Sequence, residues 1–252
     1  MEPVLKVEGV TKVFKTVGKP DFRAVDKVDF VLYPGETLGI VGESGSGKST
    51  LARLITRLAD VTAGSLSLCG EDITHAKGKK LRNAYQNIQM VFQNPVTSFD
   101  PRQTLGKGIG ESLKNRGVSG TERKQQVLEL LKQCGLSEEF YNRYPHEVSG
   151  GQCQRAALAR ALAIEPRIVI CDEATSALDV TVQQQILELL QEFKEQKELS
   201  YLFICHNLAL VQMFCDRVLV MKDGKIVEQG TPKEIISNPQ NAYTKMLVES
   251  VF

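Results

Sequence analysis

The sequence predicts an α/β fold in which a strand-rich core is interrupted by a helical insertion. Three observations predict it. Short apolar runs at Thr37–Val41, Ile168–Cys171 and Tyr201–Cys205 have the length of buried strands. Segments with helical spacing, Ser49–Leu58 and Val182–Gln196, follow the first two of these runs. Between about residues 95 and 163 the strand signals stop and helical patterns take over. With 252 residues, the chain accommodates one large α/β domain, or one domain with an inserted subdomain.

The elements follow in order. Leu5–Val10 and Val25–Tyr33 alternate and carry branched residues, and Pro34-Gly35 marks a turn. Thr37–Val41 stops at a glycine. The following helix places Leu51, Leu54, Ile55 and Leu58 on one face. Ile88–Phe92 is another strand. Inside the insertion, Glu122–Cys134 spaces Val127, Leu130, Leu131 and Cys134 for one helical face. Strands return at Ile168–Cys171, Tyr201–Cys205 and Arg217–Met221. Asp223-Gly224 signals a hairpin between Val218–Met221 and Lys225–Val227. The tail Lys233–Val251 is helical, broken at Asn238-Pro239.

Composition narrows the class. Apolar residues make up 42% of the chain and charged residues 24%, enough for a sizeable core with an ordinary surface. The net charge of +1 advertises neither nucleic acid nor a solvated acidic tail. No apolar run is long enough to span a bilayer, and Met1–Glu8 lacks the core of a secretory signal. A cytosolic chain is expected, reaching a membrane only by docking on another protein. The six cysteines form no C-x-x-C pair, and all are expected to be small buried hydrophobes.

The most specific motif is Gly42-Glu43-Ser44-Gly45-Ser46-Gly47-Lys48-Ser49, a complete G-x-x-x-x-G-K-[ST] pattern between a strand and a helix. Its glycines let successive N–H groups converge on one anion, at the positive end of a helix. Lys48 supplies a charge for outer phosphates, and Ser49 offers a hydroxyl to Mg²⁺. The motif means a nucleoside triphosphate and no more, since unrelated activities share it.

Asp172 and Glu173 follow the Ile168–Cys171 strand at its carboxyl end, where ligands bind in parallel sheets. Beside a phosphate loop, Asp172 is expected to hold Mg²⁺ and Glu173 to orient or deprotonate an attacking water. His206 follows Tyr201–Cys205 and is expected on the same rim, within reach of a γ-phosphate. A second glycine–serine segment, Val148-Ser149-Gly150-Gly151-Gln152, opens the helix Cys153–Ile164 and makes a second anion site.

This last segment resembles the signature motif of ABC ATPases, with Val148 where leucine is usual. Other motifs of that family appear in order. Gln93 resembles the Q-loop glutamine, Ser176-Ala177-Leu178-Asp179 the D-loop, and His206 the switch histidine. Phe14 stands where the family places an aromatic under adenine, and phenylalanine keeps the stacking face. The resemblance covers nearly the whole chain. It implies ATP at Phe14 and Gly42–Thr50, with Mg²⁺ at Ser49, Gln93 and Asp172. It also implies a head-to-tail dimer in which Ser149, Gly150, Gly151, Gln152 and Asp179 complete the partner's site.

The implied fold is a phosphate-loop core with a mainly parallel sheet (1–94 and 165–230) and an N-terminal antiparallel β part. A helical subdomain (95–164) and a short helical tail (231–252) complete one domain over 1–252. Implied partners are a second ATPase chain, identical or paralogous, two transmembrane permease subunits, and a substrate-binding protein outside the membrane. A groove beside Gln93 would hold a short permease helix. Ile88–Pro95, Ser98 and Asp100-Pro101-Arg102 further resemble importers of dipeptides, oligopeptides or nickel. The tail Asn238–Lys245 resembles their Asn-Pro-x-His-Pro-Tyr-Thr segment, with Asn241-Ala242 replacing His-Pro. Without the cysteine-rich extension of many peptide importers, the expected cargo leans to nickel or a metallophore, with peptides open. Alternatives are a soluble ABC ATPase of translation or DNA repair, and the ATPase of an exporter.

Overall fold

Segments whose every residue is apolar become the centre of a sheet covered on both faces. The computed structural model describes residues 2–15, 18, 20–174 and 178–250. Its strands are β1 (Leu5–Phe14), β2 (Phe22–Leu32), β3 (Thr37–Val41), β4 (Ala63–Leu68), β5 (Glu71–Asp72), β6 (Ile88–Val91), β7 (Ile168–Asp172), β8 (Ser200–Cys205), β9 (Arg217–Lys222) and β10 (Lys225–Gly230). The helices are α1 (Lys48–Ile55), α2 (Gly78–Asn87), α3 (Leu105–Ile109), α4 (Glu111–Asn115), α5 (Gly120–Gln133), α6 (Gly150–Leu162), α7 (Val180–Lys197), α8 (Leu208–Phe214), α9 (Pro232–Ser237) and α10 (Ala242–Glu249).

The strands form two sheets. One has six strands in the order β10-β9-β3-β8-β7-β6, parallel except for the β9–β10 hairpin. The other is antiparallel with four, β2-β1-β4-β5. Every residue of β3, β7 and β8 is buried, so their continuous apolar character has a structural cause. Alternate side chains feed different cores. Val169, Cys171, Tyr201 and Phe203 join the side chains of α3, α5, α6 and α7. Ile168, Ile170, Leu202 and Ile204 face the other way, onto β1, β2, β4 and α1.

Several expectations need correction. Leu58 is not on the buried face of α1: the helix ends at Ile55, Arg57 takes a positive φ of 57°, and Leu58 is left 56% exposed. Cys69 is exposed, at a turn with φ 50°; the other five cysteines are buried. Strand β1 runs four residues beyond Val10. Pairing shifts between Val7 and Lys12, with Gly9 at φ 57°, break the alternation that ended the strand in sequence. Val251 of the tail lies outside the described residues. Residues 95–164 hold α3 to α6 and short 3₁₀ turns at Val96–Ser98, Glu138–Asn142 and Pro145–Glu147. No helix among the described residues is long and apolar enough to cross a membrane.

Candidate active site

Parallel register brings the chemistry to one edge. Val41 at the end of β3 pairs with Cys205 at the end of β8. Asp172 at the end of β7 pairs with Ile204, and Val91 at the end of β6 pairs with Cys171. The four strands point the same way, so the segments after them emerge on a common rim. Those segments begin at Gly42, Phe92, Glu173 and His206, and Gln93 is the second residue of its segment.

The phosphate loop is shaped by close approach of backbone. A Cβ at Gly42 would lie 2.1 Å from the Met221 carbonyl oxygen, and one at Gly47 would lie 2.2 Å from that of Ala24. Gly47, at φ 106°, is also the N-cap of α1 and brings no side chain to its first N–H groups. Lys48 opens that helix and is only 4% exposed. Its ammonium donates to the carbonyls of Gly42 (2.7 Å) and Glu43 (2.8 Å) and lies 3.4 Å from Ser46 Oγ. Burial lowers the Lys48 pKa, while Glu173, Asp172 and Glu43 act in the opposite direction. A cleft of about 320 Å³ opens over the loop, lined by Ser44, Gly45, Gly47, Lys48, Ser49 and Thr50. Phe22, Ala24, Gln93 and Glu173 close its sides.

Two side-chain pairs stand beside the lysine. Ser49 Oγ donates to Asp172 Oδ1 at 2.9 Å, and Gln93 Nε2 donates to Glu173 Oε2 at 2.7 Å. Burial is the main cause that raises the Asp172 pKa, with the charge of Glu173 adding to it. The Ser49 bond, Arg53 and Lys48 oppose that rise. Glu173 takes a left-handed backbone, φ 49°, and its N–H is held by the Ile204 carbonyl at 2.9 Å. Adjacent hydroxyl and carboxylate oxygens beside a phosphate loop are the donors Mg²⁺ takes, few in number and hard, so this pair fits that ion. No group of three or more His, Cys, Asp or Glu side chains poised for a metal occurs among the described residues.

The remaining sequence candidates lie elsewhere. Ser149 and Gly150 are exposed at the start of α6, outside the cleft. Ser149 Oγ accepts the Gln152 N–H at 3.3 Å, and Gln152 Oε1 accepts the Ser149 N–H at 2.9 Å, with Gly151 between them. Asp179 caps α7, accepting the Val182 N–H at 2.9 Å. Ser176 and Ala177 lie outside the described residues. His206 is exposed one residue past β8 and does not line the cleft. Phe14 is also off the lining, but pairs across the strands with Phe22, which is 61% exposed at the mouth. The sequence reading missed Phe22. Its signal is a bulky aromatic just ahead of the alternation that starts at Val25.

Comparison with known proteins gives the family. The family described as ABC transporter matches residues 25–176, more than half of the chain. The chain belongs to the ABC transporter family. It is an ABC-type ATPase. It is 42% identical to the di/tripeptide transport ATP-binding protein DppF of Pseudomonas aeruginosa (strain UCBPP-PA14), over 99% of this chain and 79% of that protein. It is 47% identical to the oligopeptide transport ATP-binding protein OppF of Salmonella typhimurium, over 91% of this chain and 69% of that protein. Among solved structures, it resembles the dimeric post-hydrolysis state of the ATP-binding cassette MJ0796 bound to ADP and Pi. The TM-score is 0.84 and the identity 31%, covering 90% of this chain and 98% of that one.

Proposed function

We propose that this ABC ATPase drives import of short peptides, as a peripheral subunit on the cytoplasmic face of a membrane. The observation that carries the chemistry is the pairing of Ser49 with Asp172 and Gln93 with Glu173 beside the buried Lys48. In this reading the triphosphate of ATP lies along Ser44–Thr50, with its base toward Phe14 and Phe22. Lys48 keeps the Gly42 carbonyl with one N–H of its ammonium and turns another to the outer phosphates. Ser49 and Asp172, with Gln93, would hold Mg²⁺, which when bound offsets charge on the β- and γ-phosphates. Gln93 keeps the Glu173 carboxylate turned to the cleft. Glu173 orients a water and takes its proton as the new oxygen–phosphorus bond forms. The bond from the γ-phosphorus to the bridging oxygen then breaks, leaving ADP and phosphate. His206 would contact the γ-phosphate on closure.

The exposed start of α6 supports a second subunit as the source of the missing contacts. Ser149, Gly150, Gly151, Gln152 and Asp179 would then serve the partner's ATP, and the helical part 95–164 would move against the core on closure. The groove expected for a permease helix is beside Gln93, which lines the phosphate-loop cleft. The place proposed for that helix is a smaller cleft of about 200 Å³, not lined by Gln93, between Gln86 and Gln89 of the core and Ser112 and Asn115 of the insertion. Short peptides are proposed as cargo, rather than nickel or a metallophore, because the relatives named above transport peptides. The test is uptake of labelled dipeptides, oligopeptides and nickel by cells with and without this chain. Loss of peptide uptake alone is expected. Loss of nickel uptake with peptide uptake intact would overturn the cargo assignment. Recovery of two permease subunits with the tagged chain would support the transport role.

A further inference from the structure

The C-terminal segment plays no part in the site described so far, yet it touches the phosphate loop. Glu228 on β10 accepts the N–H groups of Gln240 (2.7 Å) and Asn241 (3.0 Å), and so fixes the entry to α10. Asn241 Oδ1 caps that helix through the Tyr243 N–H at 2.9 Å. The Tyr243 ring is 4% exposed, with the Lys222 ammonium 4.7 Å from its centre. Its hydroxyl oxygen accepts the Glu43 N–H at 2.9 Å.

That N–H belongs to the peptide unit whose carbonyl, on Gly42, accepts the Lys48 ammonium at 2.7 Å. A peptide unit is planar, so Tyr243 and Lys48 grip opposite edges of one plate. Gly42 sits at φ 155° and has no side chain to limit rotation of the plate. We infer that Tyr243 is a positioning residue for nucleotide binding. Its hydroxyl fixes the Gly42–Glu43 peptide, and through that carbonyl the Lys48 ammonium that meets the outer phosphates. The inference rests on the ATPase reading and adds to it a link from the C-terminal helix to the loop.

The experiment measures binding of Mg·ATP and of AMP to the full chain, to Tyr243→Phe, to Lys48→Ala and to the double variant. Phenylalanine keeps the ring and removes only the hydroxyl. One hydrogen bond of ordinary net strength predicts a roughly 3–10-fold loss of ATP affinity in Tyr243→Phe. AMP, which lacks the outer phosphates, should change by less than about twofold, and the loss should vanish in the Lys48→Ala background. Unchanged ATP affinity in Tyr243→Phe overturns the inference. So does an equal loss for AMP, or the same loss without Lys48, because a packing defect would act that way. Amide exchange in the unsubstituted chain decides independently of any variant: protection at Glu43 is expected, and free exchange there overturns the contact. Failure of the unsubstituted chain to bind ATP would instead count against the ATPase reading.

Discussion

Among the helices that start from glycine and serine, α1 and α6 differ in what their starts leave unfilled. At α6 the Ser149 and Gln152 side chains bond each other's backbone N–H groups, so two donors of the exposed helix end are satisfied within one chain. At α1 the N-cap is Gly47, with no side chain to offer, and the adjacent cation is buried and folded onto loop carbonyls. The first start is capped by its own side chains and, in the proposed dimer, faces a ligand presented by another subunit. The second is arranged around an anion that must come from outside. Similar residue types thus produce one self-capped surface and one receiving site, and the cap residue makes the difference.

The largest effect should separate the chemistry from both helix starts. Glu173→Gln keeps the size of the side chain and removes the base. Turnover is expected to fall by about 10²–10⁴-fold with Mg·ATP affinity within about twofold, and the variant should accumulate as a closed dimer. Steady-state hydrolysis and light scattering with ATP check this. Hydrolysis near that of the unsubstituted chain would remove Glu173 from its role.

Next in size is the receiving site itself. Lys48→Ala deletes the charge that α1 presents, and should weaken ATP binding by roughly 10–100-fold, the range for charged hydrogen bonds. Titration calorimetry on the single chain measures it. An unchanged affinity would make the α1 start no different from that of α6, and the comparison would collapse.

Ser149→Ala tests the other side. Loss of an N-cap serine costs about 0.5–2 kcal/mol, visible as an earlier unfolding midpoint in urea. ATP binding to the single chain should not change, because Ser149 lies outside the cleft, whereas hydrolysis by the assembled dimer should fall. Weaker ATP binding by single chains of this variant would place α6 in its own chain's site and contradict the arrangement proposed here.

The two starts also differ in how much could be read before folding. The phosphate loop, the acids at the end of β7 and the apolar strands were legible because local pattern and burial agree there. Each residue of β7 and β8 is buried, and the sequence has no polar interruption until Asp172 and His206. Strand β4 escaped because Ala63–Leu68 offers only Leu66 and Leu68 as buried anchors. Helix α2 escaped because Ala84 is its one buried residue. Placing Phe22 and Tyr243 near the phosphate loop was out of reach for a different reason. Phe22 lines the same cleft as the loop, and Tyr243 lies 200 positions from its partner Glu43. No periodicity carries that information.

The smallest effect concerns the carboxylate beside Ser49. Asp172 is 7% exposed, and burial raises its pKa above that of the unfolded chain. Folding therefore favours its protonated form. Its contribution to stability is present below the unfolded value, near pH 4, and is lost as pH rises through the raised folded value. Ionisation at neutral pH thus works against the nucleotide-free fold, as a site awaiting a cation requires. Asp172→Asn, which keeps the shape and cannot ionise, should match the unsubstituted protein below about pH 4 and exceed its stability at pH 7. For a chain of this length each kcal/mol gained corresponds to a rise of about 2–4 °C in Tm. Melting both proteins without nucleotide between pH 4 and pH 8 measures the difference. Groups held below their ordinary range, such as Asp100 at about 2 beside Arg102, are common to both proteins and cancel. A variant less stable than the parent at pH 7 would mean that the Ser49–Asp172 bond outweighs the cost of burying the charge. The α1 site would then be as self-satisfied as the start of α6.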